Sequence, residues 1–444
     1  MNDLRLLKFS GLLLASAAIA LTAAANGVYR DGSGARAMAL GGASVGLEEQ
    51  GLEALNSNPA ALRSTNGITL QLGVVGAVAQ GDFSNSANDS RHLRESFGAA
   101  PEVALVYPLK SVPVTLGFAV IPDAISSVEW RFVDSPGGLD GNTSYGLQRH
   151  RAEIIAYRAS VGASWKINNS FSLGASVGAE YNRNTLVAPY TFQSHPVLRG
   201  FKTLLDLQTE GWGVNGDIGI VWRPCKKIII GLSYRTPTSL ETDGDASGNA
   251  GTQLQNIGAG SFQPDFHYDA TVSTKLPQVA TAGISWQAQP RLRAVFQVEW
   301  INWSDSFDQL GVKLANGNNA DLNGFLGTDK INDTIPLDWK DRVVYRTGLE
   351  FAASEEWTLR AGYAYGAKPV PDSTITPMDA AIFEHTVTGG VEWRHGRWSI
   401  SAAYQYDFSS TSSVGTSGLA SGEYSNSRTR VEAHWFGLTT GIRF

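Results

Sequence analysis

Hydrophobic and polar positions alternate with period two along much of this chain. The stretch "WSISAAYQYDF", residues 398–408, puts Trp398, Ile400, Ala402, Tyr404, Tyr406 and Phe408 on one parity. Ser399, Ser401, Ala403, Gln405 and Asp407 fall on the other. Successive side chains of a strand point to opposite faces, so this is a strand with one apolar and one polar face. The same reading predicts strands at 67–79, 98–108, 112–122, 151–166, 171–189, 211–223 and 227–236, and again at 277–287, 291–302, 342–352, 356–366, 384–394, 397–408 and 428–444. Their number, fourteen, is even, as in closed bacterial outer-membrane barrels.

The connections alternate as strictly as the side chains. "KSV", "INNS", "PCKK", "AQP", "SEE" and "HG" sit at tight reversals. Between them lie long polar segments at 80–97, 123–150, 190–210, 237–276, 303–341, 367–383 and 409–427. All tight turns and both chain ends therefore gather at one end of the predicted sheet, and the long loops at the other. Transmembrane barrels divide in this way, with short periplasmic turns and long extracellular loops.

Charge decides which face is inside. Arg158, Glu180, Asp217, Arg235, Arg293, Glu299, Arg346, Glu350, Arg360 and Glu392 share the polar parity, and the apolar parity is nearly free of charge in mid-strand. An Arg or Lys facing lipid costs roughly 2–4 kcal/mol at the bilayer midplane. The charged parity is thus expected to face a lumen and the aromatic parity lipid. Trp165, Trp222, Trp286, Trp357, Trp393 and Trp398 all lie near tight turns, as an interfacial girdle requires. Tyr181, Trp300, Tyr365, Tyr406 and Phe408 are placed for the opposite girdle.

The ends and the composition add export. Arg5 and Lys8 precede the short apolar run "FSGLLLASAAIALT", and small residues end at Ala25, so residues 1–25 read as a secretory signal peptide. Glycine is abundant (48 residues), charged residues make up 17%, and the net charge of −6 offers no basic footprint for nucleic acid. The lone Cys225 has no disulfide or metal partner at a useful spacing. No cofactor or metal site is expected. Residues 26–66 break the strand pattern; they are rich in small residues, with a short helix expected around Glu48–Leu55. They are read as a separate element that hangs free or folds into the lumen, and residues 67–444 as the barrel.

"NSNPAAL", Asn56–Leu62, closes that prefix. It resembles the Asn-Pro-Ala hatch motif of the FadL/TodX family of outer-membrane transporters of hydrophobic compounds, which would place Asn58, Pro59 and Ala60 in the hatch. "GDIGIVWRPCKKIIIGLSYRTP" (216–237), "KLPQVATAGISWQAQPRLRAVFQVEWINWSD" (275–305), and "DWKDRVVYRTGLEF" with "WTLRAGYAYGAKPVPD" (338–372) are similar to further segments of that family. Phe444 supplies the aromatic end usual for barrels of this type. The chain departs at "NGVYRDGSGARA", which lacks the family's Gly-Phe-x-Leu-type opening. The resemblance implies an all-β, 14-stranded monomeric barrel in the bacterial outer membrane, in contact with its lipid and blocked by an N-terminal hatch. It also implies capture of hydrophobic ligands at the extracellular loops, an internal apolar pocket, and lateral release beside an inward-kinked third strand.

Several residues are candidates within that scheme. Pro122 interrupts the third strand, either as its kink or as the start of a loop. In "HPVLRGFKTLLDL" the spacing predicts a helix that would present Val197, Leu198, Phe201, Leu204 and Leu205 as a docking face for a greasy ligand. Arg346 and Arg360, expected nearly opposite one another on adjacent strands, are candidates for a ligand carboxylate. Two Gly-x-Ser-x-Gly strings, around Ser44 and Ser176, lack the strand–turn–helix context and nearby His of a hydrolase, so no enzyme is expected. The expected function is passive transport, most of all of long-chain fatty acids. Monoaromatic hydrocarbon uptake and a general diffusion porin are the alternatives.

Overall fold

In a computed structural model, residues 27–48, 51–64, 67–94, 98–378 and 381–444 are described. The signal-peptide reading of residues 1–25 lies outside the described residues. The barrel strands are β1 (Thr69–Asn85), β2 (Gly98–Pro108), β3 (Val114–Val133), β4 (Leu147–Lys166), β5 (Phe171–Thr191), β6 (Lys202–Cys225) and β7 (Ile228–Arg235). They continue as β8 (Val279–Gln289), β9 (Leu292–Ile301), β10 (Arg342–Ala352), β11 (Trp357–Tyr365), β12 (His385–His395), β13 (Trp398–Val414) and β14 (Ser427–Arg443). Neighbours pair antiparallel, and β1 pairs with β14 from Thr69↔Arg443 to Ser84↔Arg428, which closes the 14-stranded barrel. Closure leaves no open sheet edge in the bilayer, where an unpaired backbone group would cost several kcal/mol.

The faces are inverted as the charge pattern requires. On β6, Trp212, Val214 and Ile218 are 65%, 68% and 62% exposed, whereas Asn215 and Asp217 are 3% and 4% exposed. On β13, Trp398, Ile400, Tyr404 and Phe408 point out while Gln405 and Asp407 are buried. Ring contacts continue along this outer surface, as between Tyr404 and Phe436 and between Phe171 and Trp222. Among the described residues no helix is long and apolar enough to cross a membrane.

The long connections are more ordered than their polar composition suggests. Strands at Asn88–His92, Thr238–Asn249, Asp265–Leu276, Gln309–Ala315 and Ile331–Pro336 extend the sheet beyond the barrel. The first part of β6 pairs with 241–249, and 238–249 pairs with 265–276. This ladder overrides the expected helix at 195–207. Residues 196–200 form turns, and Lys202 begins a strand, because the apolar residues there have a sheet edge to join.

The lumen holds the N-terminal segment. A helix at Gly34–Ala39, a second at Gly51–Ser57 and a 3-10 turn at Pro59–Ser64 pack within it. The second helix falls near the expected Glu48–Leu55, and the first was not anticipated. Its irregular backbone is satisfied by inward-facing polar side chains of the wall, as buried amides require. Glu102 accepts from the Gly34 N–H (3.0 Å), Thr439 from Ala35 (2.9 Å) and Thr388 from Gly41 (3.0 Å). Gln297 accepts from Ser44 and Val45, and Gln71 from Gly51 and Leu52.

Candidate functional site

Charged side chains lock the segment to the wall. Arg346 donates to Asp31 Oδ1 (2.5 Å), to the Gly41 carbonyl (2.9 Å) and to Glu299 (3.1 Å). Arg36 donates to both oxygens of Glu350, which also receives Arg360 (2.7 Å). Arg360 reaches Glu392 as well. Both candidate arginines are therefore committed to carboxylates. Nor do they oppose one another: Arg360 stands across from Glu350, and Arg346 from Ala364. Asp217 does oppose Arg235, and Arg158 opposes Glu180, but Arg158 forms its ion pair with Asp217 instead. Ser176 donates to Asp217 (2.8 Å) from mid-strand and takes part in this network.

The Asn-Pro-Ala turn is seated against bare backbone. Asn58 is fully buried, and its Nδ2 donates to the carbonyls of Val45 (3.0 Å) and Ile220 (3.1 Å). Its Oδ1 accepts from the Ala60 N–H (3.1 Å), and Ser164 donates to the Ala60 carbonyl. Two wall glycines make room. A Cβ on Gly219 would lie 1.9 Å from Asn58 Oδ1, and one on Gly174 would lie 2.2 Å from the Ala60 nitrogen. These glycines are register partners on β5 and β6, so together they form one flat seat.

The third strand does not end at Pro122. Proline has no N–H to give the ladder, and the register shifts between Pro122 and Ala124 while the strand runs on to Val133. The extra residue is Asp123, whose carboxylate binds Arg235 (2.9 and 3.1 Å). A bulge of this kind bends the strand, and residues 121–128 are buried without alternation. Pairing of β2 with β3 covers only Val103↔Val120 to Pro108↔Thr115, so a seam lies above it. The N-terminal segment borders this seam. Ile125 donates to the Val28 carbonyl (3.2 Å), and the Arg30 N–H donates to the Asp123 carbonyl (3.3 Å). The Arg30 guanidinium spans it, donating to Glu102 on β2 (3.1 Å) and to the Pro122 carbonyl on β3 (3.2 Å).

Above the seam lies a cavity of about 210 Å³. Val28 and Ser126 contribute to its lining, as do Leu186, Leu207, Leu276, Phe307 and Trp339. Among the long loops a second apolar space of about 240 Å³ is lined by Leu198, Phe201, Phe266 and Phe325. Val197 and Phe325 are more than half exposed there, so it is an open groove. A narrow space of about 20 Å³ shares Leu186, Tyr190 and Leu207 with the cavity, and Phe192, Phe266 and Leu314 with the groove. The three spaces follow one another from the loops toward Val28 of the N-terminal segment, with the shared side chains standing between them. Of the expected docking face, Val197, Leu198 and Phe201 line the groove and Leu205 the neck, while Leu204 lines none of them. The cavity's own lining was not found from sequence, because it is assembled from strands and loops far apart in the chain.

Loops are tied over this path by Lys202, which is fully buried. It donates to Asp134 and Glu423 (2.7 Å each) and to the Ser135 carbonyl (2.6 Å). Burial pushes the Asp134 and Glu423 carboxyls above their usual range, against the opposing pull of the single ammonium.

A family model for outer membrane protein transport proteins (OMPP1/FadL/TodX) matches residues 12–444. The chain belongs to the FadL/TodX family. It is therefore an outer-membrane protein of a family of transport proteins, not of enzymes. It is 21% identical over 252 residues to the long-chain fatty acid transport protein of Escherichia coli O6:H1, a match spanning 52% of this chain and 53% of that relative. A Pseudomonas aeruginosa FadL homologue shares the fold at a TM-score of 0.76 and 17% identity, over 94% of this chain and 100% of the other. The P. putida toluene transporter TodX superposes at 0.73 and 19%, over 93% and 99%. The Ralstonia pickettii toluene transporter TbuX superposes at 0.71 and 19%, with the same coverage. At these identities the FadL/TodX neighbours bear on fold alone.

Proposed function

We propose that this FadL/TodX family member is a monomeric, passive outer-membrane transporter of hydrophobic molecules. A ligand of the long-chain fatty acid or monoaromatic hydrocarbon kind enters the extracellular groove at Leu198 and Phe201, passes the neck and rests in the cavity. It leaves sideways through the seam above the β2–β3 pairing, next to Pro122. Residues 26–66 act as the hatch, with Asn58, Pro59 and Ala60 as its seat. The succession of three apolar spaces that reaches Val28 of the N-terminal segment and Ser126 beside the seam supports this reading. Entry of a hydrophobe is driven by removal of its apolar surface from water, at roughly 25 cal/mol per Å², and needs no coupled energy source.

The test is reconstitution of the full chain in planar bilayers and in liposomes. A hatched transporter gives little ion conductance and speeds uptake of a hydrophobic probe over protein-free vesicles. Large, steady conductance without such uptake would make it a general diffusion porin.

A further inference from the structure

We infer that the molecule this path selects is an uncharged hydrophobe with no carboxylate, of a size near one or two rings. The inference rests on the reading of groove, neck and cavity as the ligand path. Among the described residues lining those three spaces, none is Lys or Arg. The charged groups that line them are carboxylates: Asp333 at the neck, and Glu153 and Glu423 in the cavity.

Cations stand behind two of these acids, but they are already engaged. Glu153 receives Arg151 (2.9 Å) and Arg183 (2.6 Å), and Glu423 receives Lys202 (2.7 Å). Asp333 accepts from the Tyr190 hydroxyl (2.5 Å) and the N–H groups of Gln193, Ser194 and His195. Arg346 lines a separate polar crevice of about 60 Å³ and is held there by Asp31 and Glu299. A fatty-acid anion in the cavity would lose its hydration and meet on the lining no cation to pair with, those behind the wall being held by Glu153 and Glu423, and this disfavours it.

Size and shape point the same way. A dry apolar cavity of about 150 Å³ accepts a benzene, so about 210 Å³ leaves room for a substituted or second ring. Tyr190, Phe307, Trp339 and Tyr424 supply aromatic surface in its wall.

The test uses the full chain in lipid nanodiscs, with empty nanodiscs as the baseline, and matched pairs of radiolabelled one- and two-ring probes: toluene against benzoate, and 2-methylnaphthalene against 2-naphthoate. At about pH 8, where the carboxylate probes are ionised in water, the neutral member of each pair should bind saturably and about a hundredfold more tightly. Asn184→Lys, which places an ammonium on a cavity-lining position, should narrow that gap at least about tenfold. Equal or tighter binding of the carboxylates by the unaltered chain would overturn the inference and leave the cavity as the ligand site. Absence of saturable binding by either member would overturn both the inference and the ligand-path reading.

Discussion

Gly219→Ala tests whether the Asn-Pro-Ala turn is held in place by the wall. The new methyl would lie 1.9 Å from Asn58 Oδ1, 2.9 Å from its Cγ and 3.3 Å from Pro59 Cδ. Carbon–oxygen contact needs more than 3 Å, so the turn must withdraw by over ~1 Å. Asn58 cannot swing aside and keep its bonds to Val45, Ile220 and Ala60. Losing three hydrogen bonds costs about 3 kcal/mol, and repacking adds about 1 kcal/mol or more. A total near 4 kcal/mol raises the ratio of displaced to seated turn about a thousandfold. Two readouts follow: protease cleavage within residues 27–64, and single-channel conductance in planar bilayers. Both should rise in Gly219→Ala. The control is Gly216→Ala on the same strand, where an added methyl comes no nearer than 3.4 Å to its neighbour Ser176. If the two variants behave alike in both assays while the barrels remain folded, the seat does not hold the hatch.

Other outcomes follow from the same geometry. Arg30→Ala leaves Glu102 buried without its guanidinium, at about 3–5 kcal/mol; hydrogen exchange should accelerate at Ile125, and adding Glu102→Gln should recover much of the loss. Unchanged exchange would remove Arg30 from the seam. Phe201→Ser opens the groove wall and should slow uptake at low probe concentration while leaving the saturated rate near normal, measured in liposomes; an unchanged rate at low concentration would argue against capture there. The Lys202 cluster holds two carboxyls against one ammonium, and both carboxyls are raised by burial. Raised carboxyls contribute stability that is present below the unfolded carboxylate range and lost as pH climbs through their folded values. Protection of loop 415–426 from protease should therefore fall as pH rises above about 4, and Lys202→Met should lower it at every pH. Protection that instead grows with pH would refute the assignment.

Period-two alternation, the parity of charges and the strict exchange of tight turns for long loops were enough to specify a closed, inside-out barrel. Each depends on neighbours in sequence: a strand's two faces, or the length of one link. The Asn-Pro-Ala turn was legible for the same reason, as a short motif. Its seat was not, because Gly174 and Gly219 acquire meaning only where register sets them side by side under that turn.

Tertiary structure decided everything that depends on which distant residues meet. The apolar spacing of residues 197–205 fits a helix when read alone, but the edge offered by residues 241–249 draws the chain into a strand. Arg346 and Arg360 look available in a list of lumenal charges, yet Asp31, Glu299, Glu350 and Glu392 occupy them. Pro122 marks a break in the sequence; that the strand continues inward past it follows from the bulge at Asp123 and from the N-terminal residues that bond to it. Local pattern determined the barrel and the direction each side chain faces. The path through it, and the charges left free along that path, follow from long-range pairing that no local pattern encodes.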